Sequence, residues 1–267
     1  MFELTGKTAL ITGACGTLGP VFANALAEFG ANIVLCDIKP NSAEILAQTI
    51  TERFGVRAIG IECDISDKEA VAAMTQQVVG SFGTVNILLN NAANNMPDAK
   101  EYFSRFEDYS LKEWRRVLSV DLDGMFLVAQ AVGDVMANSE CGGSIIQTAS
   151  VYASYASDNR IYEGANFNGV AINNPAVYSA GKAGVLGLTR WLATYWADRG
   201  VRVNALLPGG VEAGQNSEFK SRYGARVPMG RMAQKQEIAG AVIWLASDAS
   251  SYVTGQNIFV DGGLSAW

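Results

Sequence analysis

The 267-residue sequence contains no histidine, and this absence excludes several kinds of catalytic site. Ser/His/Asp and Cys/His nucleophiles, histidine general bases, and zinc or non-haem iron sites with histidine ligands all need an imidazole. Proton transfer must therefore use tyrosine, lysine, aspartate, glutamate or cysteine. We expect no metal site.

Cysteine is also scarce, and long apolar runs are missing. The four cysteines, Cys15, Cys36, Cys63 and Cys141, form no CxxC pair, so free thiols in a reducing compartment are favoured over a metal or dithiol site. The opening MFELTGKTALITG lacks the basic start and apolar core of a secretory signal, and no stretch of 18 apolar residues follows. We expect a cytoplasmic protein with no membrane partner.

Positive charge is in deficit. Lysine and arginine number 20 against 26 aspartates and glutamates, giving a net charge of −6. The chain therefore lacks the excess of basic residues that is typical of proteins that bind nucleic acids. The composition, 49% apolar and 17% charged, is that of an ordinary globular protein. No linker, charge block or low-complexity stretch divides the chain, which predicts one domain over residues 1–267.

Short apolar runs alternate with longer amphipathic ones along the chain. The short runs predict seven strands: Thr8–Thr12, Ala31–Asp37, Arg57–Glu62, Val85–Asn90, Gly143–Thr148, Val201–Leu207 and Asn257–Val260. Strands that alternate with helices in this way form an α/β fold, a doubly wound parallel sheet with helices on both faces.

A glycine-rich turn, TGACGTLG, follows the first predicted strand. Gly13, Gly16 and Gly19 lie at the start of a helix expected from near Thr17, where free backbone N–H groups can bind a pyrophosphate. Asp37 ends the second strand, and a carboxylate there accepts hydrogen bonds from an adenosine ribose and repels a 2′-phosphate, which predicts NAD. The alternatives are a plain turn and, for Asp37, a cap of the helix beginning near Asn41.

A second motif, YSAGK, opens a helix after Pro175. Tyr178 and Lys182 are four residues apart and so share a helix face. The ammonium group is therefore expected to lower the pKa of the phenol from about 10, which would make it a usable acid or base. The pair is a weak signal by itself, and its combination with a dinucleotide turn strengthens it.

From Leu4 to Gly263 the sequence resembles the short-chain dehydrogenase/reductases. The matching stretches, in family order, are TGACGTLG, CDISD, NNAA, ASVYA, YSAGK, NALLPGGV and YVTGQNIFVDGG. The resemblance implies a Rossmann-type seven-stranded sheet, NAD or NADP, and hydride transfer between nicotinamide and an alcohol or ketone carbon. It further implies that Tyr178 exchanges a proton with the substrate oxygen, that Ser150 hydrogen-bonds that oxygen, and that Lys182 holds the nicotinamide ribose.

The resemblance also implies a set of cofactor contacts, each of which alone could be a turn or core residue. They are Gly13, Thr17, Leu18, Gly19, Asp37 and Ile38, then Asp64 and Ile65 beside the adenine, Asn91 and Ala92 along the adenosine ribose, and Pro208, Gly209 and Val211 at the nicotinamide amide, together with Tyr178 and Lys182.

Four positions depart from the family pattern. Thr17 and Ala93 replace glycines of the turn and of the NNAG motif, and Ala213 replaces a threonine that often follows the PG turn. Asp121 replaces the usual asparagine, whose backbone carbonyl holds a water in a proton relay, and we therefore include Asp121 among the catalytic residues. A buried Asp121 must be paired, for example with Lys182, or protonated.

The interval between Ser150 and Tyr178 is longer than the family commonly has. The added residues offer many polar groups: Ser154, Asp158, Asn159, Arg160, Tyr162, Glu163, Asn166 and Asn168. They predict a small polar substrate, polyhydroxylated or anionic, with Arg160 as the anchor of an anion; a surface excursion or a subunit contact is the alternative. The segment 212–227 is expected to be a lid. The insertion and the ending LSAW also resemble family members of bacterial surface-glycan and flagellin-sugar biosynthesis.

Helices expected over Leu111–Met136 and Ala176–Asp198 are apolar on several faces. A helix of this kind must be buried, and the family resemblance implies a homo-oligomer, tetramer or dimer, with these helices at an interface. The leading hypothesis is an NAD-dependent alcohol or sugar oxidoreductase. A catalytically impaired, NAD-binding structural or sensing subunit is the alternative. A nucleotide-sugar epimerase or dehydratase is disfavoured because the C-terminal substrate domain of those enzymes is missing.

Overall fold

Seven strands form one parallel sheet in the computed structural model, which describes residues 1–39, 41–94, 96–167 and 169–267. They are β1 (Thr8–Thr12), β2 (Asn32–Asp37), β3 (Ala58–Glu62), β4 (Ile87–Asn90), β5 (Gly143–Thr148), β8 (Val201–Pro208) and β9 (Asn257–Val260), while β6 (Asn166–Phe167) and β7 (Val170–Ala171) form a separate antiparallel ribbon. The strand order is β3-β2-β1-β4-β5-β8-β9. All seven predicted strands are confirmed, and so is the doubly wound α/β class; the strand ends differ by at most two residues.

Helices cover both faces of this sheet. They are α1 (Gly19–Glu28), α2 (Ser42–Phe54), α3 (Lys68–Phe82), α4 (Ala99–Tyr102), α5 (Leu111–Leu118), α6 (Met125–Ala137), α7 (Ala176–Tyr195), α8 (Ser217–Gly224) and α9 (Lys235–Ala246). Successive strand side chains point to opposite faces, so Ile11 packs with α1, α2 and α9, whereas its neighbour Leu10 packs with α3, α6 and α7. None of the described helices combines the length and the apolar character needed to cross a membrane.

The turn between β1 and α1 depends on glycine at two positions. Gly13 has a φ of +62°, and a Cβ there would lie 2.6 Å from the Cα of Ala92. A Cβ on Gly19 would lie 2.3 Å from the carbonyl oxygen of Ala14. Helix α1 begins at Gly19 and not near Thr17, because Pro20 occupies its first turn.

The expected helix over Leu111–Met136 is interrupted, which corrects that prediction. A π-helical segment, Ser119–Gly124, separates α5 from α6. Helix α7 passes close to this segment, since a Cβ on Gly184 would lie 3.0 Å from Leu122 side-chain atoms. An apolar periodicity does not distinguish a π turn from an α turn. The second expected helix, Ala176–Asp198, ends at Tyr195 and is followed by a 3₁₀ turn, Ala197–Arg199.

The inserted residues before α7 fold against the segment 212–227, the expected lid. A 3₁₀ turn, Asn159–Tyr162, precedes the β6–β7 ribbon, and Ile161 and Ala165 are buried in a cluster with Phe219 and Tyr223 of α8. The insertion therefore supports α8 through a small apolar core of its own. Asn168 lies outside the described residues.

Candidate active site

The carboxyl ends of the central strands open into one long cavity of about 970 Å³, the position at which doubly wound sheets bind ligands. Nearly all the residues expected to contact the cofactor line it: Gly13, Thr17, Leu18, Asp37, Ile38, Asp64, Ile65, Asn91, Ala92, Tyr178, Lys182, Pro208, Gly209 and Val211. Gly19 does not, because it lies behind the turn against Ala14. Thr17 and Ala93, two of the departures from the family pattern, also line the cavity, and neither has a positive φ.

Asp37 is fixed at the end of β2 by two backbone donors. Its Oδ2 accepts a hydrogen bond from the Cys15 N–H at 2.7 Å, and its Oδ1 accepts one from the Lys39 N–H at 3.0 Å. The side chain therefore ties the glycine-rich turn to β2 and does not cap α2, whose N-cap position is Asn41. A carboxylate held in this way presents its remaining lone pairs to the cavity.

The loop after β4 is anchored to the end of β1. The Asn91 N–H donates to Thr12 Oγ1 at 2.9 Å, and Asn91 Nδ2 donates to the Thr12 carbonyl at 3.2 Å. Two buried polar atoms of lining residues, Thr148 Oγ1 and Asn94 Nδ2, have no hydrogen-bond partner among the described residues. A long cavity with a glycine turn at one end and unpaired polar atoms in its wall fits a bound dinucleotide.

Ser150, Tyr178 and Lys182 meet at one end of this cavity. Tyr178 stands in the first turn of α7, and Ser150 follows the end of β5. The Ser150 hydroxyl accepts from the Tyr152 N–H at 3.2 Å, and Ser150 and Tyr178 line both this cavity and a smaller pocket beside it. Lys182 is 3% exposed, its ammonium donates to the Thr148 carbonyl at 3.0 Å, and it lies 6.0 Å from the centre of the Tyr178 ring. The sequence motifs are therefore brought together around one phenol.

Burial controls the acid–base properties of this group. Burial has the largest effect on the pKa of Tyr178 and raises it. Hydrogen bonding with Ser150 lowers this pKa, and the negative charge of Asp121 raises it. The pKa of the phenol is therefore raised and not lowered as expected, and the Lys182 ammonium donates to the Thr148 carbonyl. Burial also lowers the pKa of Lys182, opposed by the charge of Asp121.

Asp121 lies behind the cavity wall, within the π-helical segment. It is 1% exposed, and its Oδ1 accepts a hydrogen bond from the Asn94 N–H at 2.6 Å. Among the described residues it makes no ion pair with Lys182 within 4.0 Å. Burial raises the pKa of Asp121, and the charge of Lys182 opposes this effect. Asp121 therefore positions the loop after β4 and does not itself line the cavity.

A second group of residues, which the sequence reasoning missed, holds the same loop. Arg116 donates from Nη1 to Asn94 Oδ1 at 2.7 Å, and from Nε to Glu113 Oε2 at 2.6 Å. Glu113 is 2% exposed, so the carboxylate partner of this ion pair is buried. The glutamate three residues before the arginine was the only signal in the sequence.

A smaller pocket of about 250 Å³ adjoins Tyr178 and Ser150. Besides these two residues it is lined by Met96, Tyr102, Phe103, Val151, Tyr152, Asn173, Asn174, Pro175, Gly209, Gly210, Gln215, Phe219, Tyr223 and Met232. We refer to it as the substrate pocket. Its walls come from four distant segments of the chain, which explains why sequence reasoning found few of its residues. The expected lid contributes Gln215, Phe219 and Tyr223.

None of the described polar residues of the insertion that were expected to bind the substrate lines this pocket. Arg160 has a side chain that is 80% exposed, and it pairs with Asp158 through two hydrogen bonds of 2.8 and 2.7 Å. Glu163 pairs with Arg222 on the outside of α8. The insertion reaches the pocket through its last residues, Asn173 and Asn174, which follow the β6–β7 ribbon. The prediction that Arg160 anchors a substrate anion is therefore wrong, because this arginine is paired with Asp158 at the surface.

Comparison with known proteins gives consistent matches. A family model described as enoyl-(acyl carrier protein) reductase, a short-chain alcohol dehydrogenase type, matches residues 13–265. D-threitol dehydrogenase of Mycolicibacterium smegmatis is 36% identical over 99% of this chain and 95% of that protein. A gluconate 5-dehydrogenase of Burkholderia cenocepacia, solved with NADP and tartrate, superposes with a TM-score of 0.87 at 33% identity, covering 100% of this chain and 98% of that one. An NAD⁺-bound xylitol dehydrogenase gives 0.84 at 30% identity, covering 98% of this chain and 100% of that one.

Proposed function

Because the chain belongs to the short-chain dehydrogenase/reductase family, whose members act on alcohol groups, we propose that it is an NAD(H)-dependent oxidoreductase of a polyol, sugar or sugar derivative. The observation that carries the proposal is the position of Tyr178. Its phenol stands where the long cavity meets the substrate pocket, with Ser150 and Lys182 beside it. A substrate oxygen in the pocket can reach the phenol while its carbon faces the long cavity.

In the proposed reaction Tyr178 takes the hydroxyl proton of the substrate during oxidation and returns it during reduction. The bound dinucleotide supplies or accepts the hydride. Ser150 hydrogen-bonds the substrate oxygen, and its place beside Tyr178 in the walls of both cavities supports this role. Lys182 holds the ribose next to the nicotinamide and stabilises negative charge on the phenol.

The preference for NAD rests on Asp37. Its buried carboxylate, fixed by the Cys15 and Lys39 N–H groups, suits the two hydroxyls of an adenosine ribose. A 2′-phosphate at the same place would meet the carboxylate at short range and be repelled. The related structures bind NADP in one case and NAD⁺ in the other, so the choice must be tested on this chain.

The preference for a polyol or sugar rests on the substrate pocket and on the relatives. The pocket offers amide and phenol groups next to the reacting centre, and two relatives are named for threitol and xylitol. A role in bacterial surface-glycan or flagellin-sugar biosynthesis stays a prediction from the sequence. The four free cysteines agree with a reducing, cytoplasmic location.

The test is a screen of NAD reduction over alditols, aldoses, aminosugars and sugar phosphates with the purified chain. The proposed function requires turnover of at least one polyhydroxylated compound that is lost in Tyr178→Phe. A structural or sensing subunit would bind NADH and reduce NAD with none of them, and that result would overturn the proposal.

A further inference from the structure

The substrate pocket contains no charged side chain among the described residues that line it. Its polar groups are the amides of Asn173, Asn174 and Gln215 and the hydroxyls of tyrosines and Ser150. Such groups can donate and accept hydrogen bonds, and none of them balances a full negative charge.

Five cations of the segments around the pocket are paired with carboxylates. The pairs are Arg116 with Glu113, Arg160 and Arg226 with Asp158, Arg222 with Glu163, and Lys220 with Glu212 at 3.5 Å. To bind a substrate anion, one of these cations would have to leave its carboxylate. Lys182 is buried and bonded to the Thr148 carbonyl, and in the proposed reaction it serves the ribose.

The amides in the pocket wall are oriented by hydrogen bonds. Asn173 Nδ2 donates to the Phe103 carbonyl at 2.8 Å, and its Oδ1 is buried with no hydrogen-bond partner among the described residues. The Tyr223 hydroxyl accepts from the Gly210 N–H, so its own proton is available to a second acceptor. The wall therefore combines neutral donors and acceptors, which match the alcohol groups of a substrate.

We propose that this pocket selects an uncharged polyhydroxylated substrate and rejects the carboxylate or phosphate of the same carbon chain. An alcohol group entering the pocket exchanges hydrogen bonds with water for hydrogen bonds with amides and phenols. A carboxylate entering it loses its hydration and gains no cation. The inference rests on the proposed function and adds the charge of the substrate to it.

Matched substrates test the proposal directly. Alditols of four to six carbons are each compared with the aldonate and with the terminal phosphate of the same carbon chain, using the wild-type protein and NAD. We expect kcat/KM for the best alditol to exceed that of its aldonate and its phosphate at least tenfold. Equal or better turnover of either anion would overturn the inference and leave the proposed function intact. Turnover of no compound in this set, and of none in the wider screen of aldoses and aminosugars, would instead overturn the proposed function.

A variant tests the cause of the selection. Met96 is partly buried and lines both the substrate pocket and the long cavity, and lysine is an unbranched side chain of similar reach. We compare Met96→Lys with Met96→Gln, which has a neutral polar group at the same place, and measure the ratio of kcat/KM for aldonate to that for alditol. The lysine variant should raise this ratio at least tenfold over the glutamine variant. An unchanged ratio, with folding and NADH affinity retained, would show that missing positive charge is not what rejects the anion.

Discussion

The Asp121 carboxylate accepts a hydrogen bond from the Asn94 N–H at 2.6 Å, across the gap between the π-helical segment and the loop after β4. Arg116 holds the side chain of the same asparagine at 2.7 Å. Two side chains on consecutive parts of one long helical stretch therefore fix a single loop that borders the proposed cofactor site. The negative charge of Asp121 also acts on Tyr178 and Lys182, raising the pKa of each.

Asp121→Asn should separate the hydrogen bond from the charge. Asparagine can still accept the Asn94 N–H, so we expect at least a tenth of the wild-type turnover. Oxidation of the alcohol needs the deprotonated phenol, so its rate rises with pH through the pKa of Tyr178. Because the charge of Asp121 raises that pKa, the rising limb of the pH profile of kcat should move to lower pH in the variant.

A second variant, Asp121→Leu, provides a comparison, and one outcome would contradict the prediction. Asp121→Leu, which removes the acceptor as well as the charge, should weaken NADH binding because the loop loses an anchor. Complete loss of activity in Asp121→Asn, with NADH affinity unchanged, would show that the carboxylate takes part in proton transfer and would contradict a positioning role.

Ser150→Ala should shift the same profile in the opposite direction. The Ser150 hydrogen bond lowers the pKa of Tyr178, so its loss raises that pKa, and the rising limb should move to higher pH with a lower kcat. Ser154→Ala, at an exposed serine nearby, is the control and should leave the profile unchanged. A Ser150→Ala profile identical to that of the wild type would disconnect this serine from the phenol.

Cofactor choice should follow Asp37. We expect NADH to bind more tightly than NADPH. Asp37→Ser should reduce this difference in affinity, because the repulsion of the 2′-phosphate is removed. Glu62→Gln, an exposed carboxylate at the end of β3, should leave it unchanged. Fluorescence titration that finds NADPH tighter than NADH by tenfold in the wild type, or about 1.4 kcal/mol, would refute this assignment.

Arg160→Ala should leave substrate kinetics unchanged. The guanidinium is exposed and paired with Asp158, so we expect KM within about twofold of wild type for an alditol and for its aldonate, a difference too small to indicate a lost ionic contact. A tenfold increase in KM confined to the aldonate would restore the role of anion anchor that the sequence suggested.

The outer face of α7 should be an interface between copies of the chain. Trp191 and Tyr195 stack at 4.7 Å and are 59% and 51% exposed, an apolar surface of the kind that marks an association site. Trp191→Glu should therefore lower the mass measured by light scattering, while Phe106→Ser, at an exposed position outside the long helices, should not. A wild-type chain that is monomeric at micromolar concentration would contradict this prediction.

The sheet and the glycine-rich turn could be predicted from local patterns in the sequence, whereas most other residues of the long cavity were implied by the family resemblance. The strands are near-continuous apolar runs, and the turn at Gly13 needs a positive φ, so each can be recognised from a few consecutive residues. The substrate pocket has no such local sequence pattern. Asn173 meets the Phe103 carbonyl across 70 positions, and only the fold shows that they are neighbours. The sequence could not show that Arg160 is exposed for the same reason, because the insertion packs on α8 through its apolar residues.

The measurement that tests the account most directly is the turnover of Tyr178→Phe with NAD and the best alditol, made together with an NADH titration. The substitution removes one hydroxyl from the junction of the two cavities and leaves the ring in place. The account predicts NADH affinity within about twofold of wild type and a loss of kcat of about 10²- to 10⁴-fold, the contribution of a positioned acid or base. Turnover equal to that of the wild type would contradict it, because the proton would then pass through another group.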